Sequence, residues 1–250
     1  MPQDEYLKET RLLNYSHRDL VALVERKNWR DLEAFDRIAA IYRFVKDEVP
    51  FGYNESDDLA ASRLLHDGYG QCNTKATLLM ALLRSVGISC RMHASLIDKR
   101  VQRGLIPDPI YALTPARLLH TWVEVLFDGR WSSLEGCILD EDYLGQVHSM
   151  FPDARGSFCG FAVAVSNFRE PRIAWQGEDT HIQSAAVTKD LGVFASPDSL
   201  YAAYRANLRG IRGFLFKHLV RSWMNRRVAS IRMGQASVRR DSGACRSTSP

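Results

Sequence analysis

The feature that most constrains this chain is Tyr69-Gly70-Gln71-Cys72-Asn73-Thr74-Lys75-Ala76, a glycine-containing turn that runs straight into an apolar helix. Gly68 and Gly70 end one element and permit a close backbone turn. From Asn73 to Val86 the chain is rich in Ala, Leu and Met, all strong helix formers, and Gly87 follows where a helix-terminating glycine belongs. Apolar residues lie almost all round this segment (Ala76, Leu78, Leu79, Met80, Ala81, Leu82, Leu83, Val86), which predicts a helix buried in the core. Cys72 stands at its N-terminus. A thiol there faces the positive end of the helix dipole, which favours the thiolate. The local pattern also fits a small buried hydrophobe, so the rest of the chain must decide.

A chain of 250 residues can bury a sizeable core, as one large domain or one domain with an extension. Its cysteines (72, 90, 137, 159 and 245) form no CxxC pair and leave one unpaired. With no signal peptide pattern, this predicts a reducing, cytoplasmic setting. No zinc-ligand spacing and no EF-hand loop occurs, so neither metal nor cofactor is expected. No run of 18 apolar residues occurs, so no membrane span is expected. The net charge of +4 is unevenly placed: Ser199 to Pro250 carries 11 Lys/Arg against one Asp, and the remainder is net negative.

Before the cysteine helix, Ser16 is placed to cap a short helix through Lys27, and Asp31 to start a stronger one. Leu32, Phe35, Ile38, Ala39, Tyr42 and Val45 form its apolar stripe, and Pro50 stops it. Ser56 reads as the cap of a third helix, with Asp57 and Asp58 in its first turn and Gly68 after its end. After Gly87, Ile88 to Ile97 suits a strand. Residues 98–118 carry Gly104, Pro107, Pro109 and Pro115 and read as a long loop, of the kind that borders a cleft.

His120 to Phe127, Asp128-Gly129, then Arg130 to Glu135 reads as a β-hairpin with a type I′ turn. If Phe127 pairs with Arg130, His120 lies opposite Cys137 and Trp122 opposite Glu135. His120, Trp122, Trp131, Ser133 and Glu135 then share one face. His120 and Glu135 become diagonal neighbours, with Cβ atoms roughly 7 Å apart, within reach of an imidazole–carboxylate hydrogen bond. Ser157 to Val165 reads as a further strand and Ile173 to Trp175 as a short one.

A thiol becomes an efficient nucleophile when a base holds its proton and a third group orients the base. Cys72, His120 and Glu135 supply those three roles. Trp122 either walls the cleft and screens the ion pair or simply packs in the core. Gln71 either donates to an oxyanion or is a solvated loop residue. Arg84, Arg91 and Glu124 read as structural.

The combination of Tyr69-Gly70-Gln71-Cys72, the Lys75-to-Arg91 run, and His120-Thr-Trp122-Val-Glu124-Val125 followed by Asp128-Gly129-Arg-Trp131 resembles the transglutaminase-like superfamily over roughly residues 35–140. The resemblance implies an α+β, papain-like fold, with a cysteine-headed central helix packed on an antiparallel sheet. It implies Cys72 as nucleophile, His120 as base and acid, Glu135 at the acid position, and the main-chain N–H of Cys72 in the oxyanion hole. The superfamily usually has Asp where this chain has Glu135, and Asp140 is the competing acid. Its members include cross-linkers, proteases, amidases and forms without activity. The function expected is thiol-dependent acyl transfer on a peptide or amide carbonyl of a peptide or protein substrate. A catalytically inactive peptide- or protein-binding module is the alternative.

The expected organisation is a transglutaminase-like domain over 1–195 and a basic helical extension with a disordered tail over 196–250. In that extension Leu208, Ile211, Leu215, Leu219 and Trp223 recur at helical spacing among arginines. This reads as a helix packing on the acidic body, or docking on an anionic membrane or acidic partner. No nucleic-acid motif is present, and no nucleic-acid partner is expected.

Overall fold

The computed structural model describes residues 3–204 and 220–236. Its N-terminal half is helical. α1 (Arg18–Arg26) is capped by His17 rather than Ser16, with His17 Nδ1 accepting from the Asp19 N–H at 3.3 Å. α2 (Ala34–Arg43) starts three residues after Asp31, because Trp29–Asp31 form a 3-10 turn behind Asn28, whose φ is 51°. It continues into a π-helical turn, Phe44–Glu48, before Pro50. Ile38, Tyr42 and Val45 of the predicted stripe are buried, while Phe35 is exposed and stacks on Trp175.

α3 (Ala61–Asp67) corrects the reading of Ser56 as a cap, since the helix begins behind Ala60. Asp57 is drawn inward instead, where its carboxylate accepts from Gln71 Nε2 at 3.1 Å. A tertiary partner has taken a residue that the local pattern assigns to a helix start.

α4 (Cys72–Ser85) is the centre of the molecule, buried from Asn73 to Ser85. Gly70 is needed for space: a Cβ there would stand 2.8 Å from Thr74 Oγ1 and 2.9 Å from Leu64 Cδ1. The turn is pinned by Gly52 N–H donating to Gly70 O (3.0 Å) and Gly70 N–H donating to Pro50 O (3.1 Å), which lays Phe51–Tyr53 beside it.

β1 (Cys90–Asp98) follows α4. Residues 98–118 contain a 3-10 turn, Lys99–Gln102, and a short helix, α5 (Asp108–Leu113), where a loop was expected. β2 (Arg117–Phe127) and β3 (Arg130–Ser133) form the hairpin, with Asp128 and Gly129 both at positive φ (48° and 73°), as a type I′ turn requires. The predicted register is present from Phe127↔Arg130 to Glu124↔Ser133. It stops there. His120 does not pair with Cys137, because Glu135–Ile138 coil into a 3-10 turn. The cause lies outside the hairpin: Ser133 N–H donates to Asp179 Oδ1 (2.7 Å), and Ser133 O accepts from Thr180 N–H (2.8 Å).

α6 (Glu141–Met150) comes next, with Asp140 as its N-cap. The apolar run 157–165 is two short antiparallel strands, β4 (Phe158–Gly160) and β5 (Val163–Val165), turned by Phe161 and Ala162 at positive φ. Ile173 to Trp175 is not a strand. β6 (Val187–Phe194) joins the main antiparallel sheet in the order β3-β2-β1-β6. α7 (Pro197–Ala203) follows.

α8 (Arg221–Arg232) buries Met224, Val228 and Ile231 and packs on α6. Leu208, Ile211, Leu215, Leu219 and the tail after residue 236 lie outside the described residues. Trp223, the last of that stripe, is exposed.

The core has two parts. The larger surrounds α4 with α1, α2 and the inner face of β1 and β2. The smaller joins Phe51, Tyr53, α6, β4, β5 and α8. Cys72 packs at the border, against the smaller part. No described helix is long and apolar enough to cross a membrane.

Candidate active site

Gln71 is the N-cap of α4 in extended conformation, so Cys72 occupies the first helical position. The first N–H groups of a helix have no partner within it, which leaves the Cys72 N–H pointing outward from the helix end. Thr74 Oγ1 accepts from the Gln71 N–H at 3.1 Å and donates to Asn54 Oδ1 at 2.7 Å, closing the first turn. The Gln71 side chain is held from both ends: Oε1 accepts from the Asn54 N–H (2.7 Å), and Nε2 donates to Asp57.

The cysteine is placed against the histidine by their neighbours. Asn73 Nδ2 donates to Leu119 O (3.3 Å), and Thr121 Oγ1 donates to Asn73 Oδ1 (3.1 Å). The residue after Cys72 is thus bonded to both residues flanking His120. Asn73 was missed in the sequence, where the only signal was a polar residue inside a helix apolar all round.

His120 is fully buried. Its Nε2 meets Glu135 Oε1 at 2.9 Å. Its Nδ1 is buried without a hydrogen-bond partner in the described structure, and the Cys72 Sγ–H is directed instead at Asn73 Oδ1, 3.5 Å away. The thiol therefore stands near the ring, close enough to interact with the imidazole but outside hydrogen-bond geometry at Nδ1. The two groups are still coupled. Burial would lower the His120 pKa, but interaction first with Cys72 and then with Glu135 outweighs it, and the imidazole is held well above its ordinary range.

Glu135 reaches His120 from the 3-10 turn after β3. It is 1% exposed. Oε1 also accepts from the Gln183 N–H (3.1 Å), and Oε2 from the Ile182 N–H (3.2 Å). His181 Nδ1 lies 3.5 Å from Oε2. Burial raises the Glu135 carboxyl, but hydrogen bonds with His120 and His181 outweigh it and hold the group well below the usual carboxylate range. His181 and Gln183, some 50 residues downstream, carry no sequence signal linking them to the acid.

Lys75, one turn after Cys72, is fully buried and was also missed. Its Nζ donates to Lys46 O and Ile138 O, both at 3.1 Å. It thereby anchors the Glu135–Ile138 turn to α4. Burial pulls its pKa down to about 8.

Asp140, the competing acid, is occupied elsewhere. Its carboxylate accepts from the Phe51 N–H (2.8 Å) and Tyr143 N–H (3.0 Å), and from Arg232 Nε (3.0 Å) and Nη2 (2.7 Å). Arg232 Nη2 also donates to Phe51 O, and the Asn225 amide bonds both the N–H and O of Tyr53. α8 thus straps the segment that lies beside Gly70. Trp122 stacks on His93 (centroids 4.3 Å apart, planes at 15°) and tilts against His120 at 5.7 Å. It does not line the cavity at Cys72. Arg91 and Glu124 pair at 2.6 Å, and the buried Arg84 donates to the carbonyls of Lys8, Cys90 and Ala195, so all three fill structural roles.

Cys72 opens onto a cavity of about 620 Å³ lined mainly by apolar side chains. The 98–118 segment borders it, through Val101, Ile106, Ile110 and Leu113 among others. No group of three or more metal-ligating side chains occurs among the described residues.

The model of the transglutaminase-like superfamily matches residues 22–136. Residues 22–136 are transglutaminase-like. The matched stretch contains Cys72, His120 and Glu135, and the α+β arrangement of a cysteine-headed helix on an antiparallel sheet is the papain-like fold of that superfamily. No curated protein matches the sequence. Among solved structures the chain is similar to a candidate cysteine protease from Cytophaga hutchinsonii, at 18% identity over 54% of this chain and 42% of that one, with a TM-score of 0.41. It is also similar to red sea bream transglutaminase, at 15% identity over 53% of this chain and 25% of that one, with a TM-score of 0.30. The chain spans less than half the length of either.

Proposed function

We propose that this transglutaminase-like chain is a thiol-dependent acyl-transfer enzyme acting on a peptide or amide carbonyl. Cys72 is the nucleophile, His120 the base and acid, and Glu135 the group that orients the imidazole and balances its charge. The observation that carries this reading is the fully buried His120, held by Glu135 at 2.9 Å and raised by Cys72. A buried imidazole stays charged only where negative charge compensates it, and the Glu135 carboxylate is hydrogen-bonded to it. Attack by Cys72 Sγ forms a thioester, with the Cys72 N–H at the head of α4 donating to the oxyanion. His120 gives its proton to the leaving amine, and water or a second amine then takes the acyl group. Four free thiols among the described residues support a reducing compartment.

A non-catalytic binding module is favoured by one observation, the Cys72 thiol hydrogen directed at Asn73 rather than at His120. Iodoacetamide labelling of the native protein at pH 6, mapped by mass spectrometry, separates the two. An ordinary thiol, with a pKa near 8.5, is mostly protonated there and labels slowly. Fast labelling at Cys72, lost in Cys72→Ala and slowed in His120→Ala, is the expected result. Labelling of Cys72 no faster than that of an ordinary thiol refutes the activated pair.

A further inference from the structure

We infer that the cavity beside Cys72 is an acyl-chain pocket, and that the acyl group transferred carries a long aliphatic chain. The thiol reading supplies the acyl head of this inference; the cavity alone supplies the chain. Three observations carry it. The first is size. A cavity of about 150 Å³ takes a benzene ring, and this one measures about 620 Å³, too large for any single amino-acid side chain to fill.

The second is the lining. Ile97, Val101, Ile106, Leu118, Leu119 and Met224 face it, all buried in the fold. Several of its polar side chains are already engaged with the protein. Asn54, Gln71 and Asn73 make the bonds described above, and Gln183 Nε2 donates to Ala162 O at 2.7 Å. A peptide backbone in this space would find few partners for its own N–H and C=O groups, at a cost an alkyl chain does not meet. Asp57 is the one charged residue among the described lining residues, and it accepts from Gln71. The cavity thus offers no cation to a free carboxylate, so the polar end of the ligand belongs at Cys72.

The third is the route out. Leu113 of α5 both lines the cavity and is 80% exposed, so apolar surface continues from the thiol to solvent. A chain too long for the cavity would extend over it.

The chemistry balances without a further reactant than water. Cys72 Sγ bonds to the acyl carbon, and the bond from that carbon to the leaving oxygen or nitrogen breaks. The leaving group departs with the His120 proton. Water then adds to the thioester, releasing the carboxylic acid and restoring thiol and imidazole.

The test is a series of p-nitrophenyl esters, from acetate through hexanoate and octanoate to decanoate, with the full chain. Release of p-nitrophenolate and the mass of acyl-Cys72 are read together. Each methylene buried from water is worth about a fourfold gain, so kcat/KM for octanoate should exceed that for acetate by more than about tenfold even with partial burial. Ile106→Trp and Met224→Trp narrow the cavity from two different elements, and each should lower the octanoate-to-acetate ratio. That ratio is independent of how much of a variant is folded. Equal kcat/KM across the series, or a ratio unchanged in both variants, overturns the pocket and leaves the thiol reading standing. If no ester acylates Cys72, the thiol reading falls, and the pocket is judged by the fluorescence of dansyl-undecanoate. Binding to wild type that is weakened in both variants supports it; no binding overturns it.

Discussion

Replacing Glu135 by Gln removes one charge from a site that is 1% exposed and leaves the volume almost unchanged. The carboxylate now accepts from His120 Nε2 and the N–H groups of Ile182 and Gln183, all within 3.2 Å, with His181 at 3.5 Å. Glutamine can present its oxygen to only one side of that set and must turn an NH2 toward the other. At least one buried donor then loses its acceptor, which costs about 1–3 kcal/mol. Losing the negative charge beside a buried imidazolium brings the total to about 3 kcal/mol or more. For a chain of this size that corresponds to a fall in Tm of about 6–12 °C.

The pH dependence has a definite sign. Hydrogen bonds to His120 and His181 hold the Glu135 carboxyl below its ordinary value of 4.5, against burial. Its contribution is present above pH 4.5 and is lost as pH falls through the lowered folded value. Cys72 and Glu135 raise His120 above 6.5, also against burial, so its contribution is present below pH 6.5 and is lost as pH rises through the raised value. The pair is at full strength between those two values. Differential scanning fluorimetry of wild type and Glu135→Gln should show the widest gap near pH 6 and a narrower one at pH 3. A gap of equal size at both would refute the ionic reasoning. The same variant should slow alkylation of Cys72 at pH 6 by about tenfold, the effect of one decade of lost imidazolium stabilisation.

Three further outcomes follow from the same structure. Arg232→Ala loses the two bonds to Asp140 and the one to Phe51 O, and urea melts should show a loss of about 2–3 kcal/mol. Lys75→Met removes an ammonium whose pKa burial pulls down to about 8. The stability of wild type relative to this variant should therefore rise between pH 8 and pH 10, and a difference that stays flat with pH would contradict the lowering of the Lys75 pKa by burial. Gly129→Ala meets no atom within 4 Å but forces an alanine to φ near 73°, so it should cost about 1 kcal/mol, read as a Tm lower by about 2–4 °C.

Several features were legible in the sequence because they depend on neighbours along the chain. The α4 boundaries follow from Gly70, the Ala/Leu/Met run and Gly87, within one residue of those observed. The hairpin register follows from Asp128-Gly129, because a two-residue turn fixes every pair that follows it. The inward turn of Asp57, the 3-10 turn at Glu135 and the occupation of Asp140 by Arg232 were not legible. Each is decided by a partner 14 to 92 residues away, and no local pattern encodes which partner wins.

By itself the sequence determined a buried helix headed by Cys72 and a hairpin carrying His120, since helix propensity, glycine placement and strand alternation act over a few residues. Only the tertiary structure decided that Glu135 rather than Asp140 meets His120, that Asn73 ties the helix head to the strand, that Lys75 lies uncoupled from water under the acid-bearing turn, and that α8 walls the cavity. The reason is physical. Each of these depends on burying a polar or charged group, and a group taken out of water must pair with whatever donor or acceptor the packed core brings within reach.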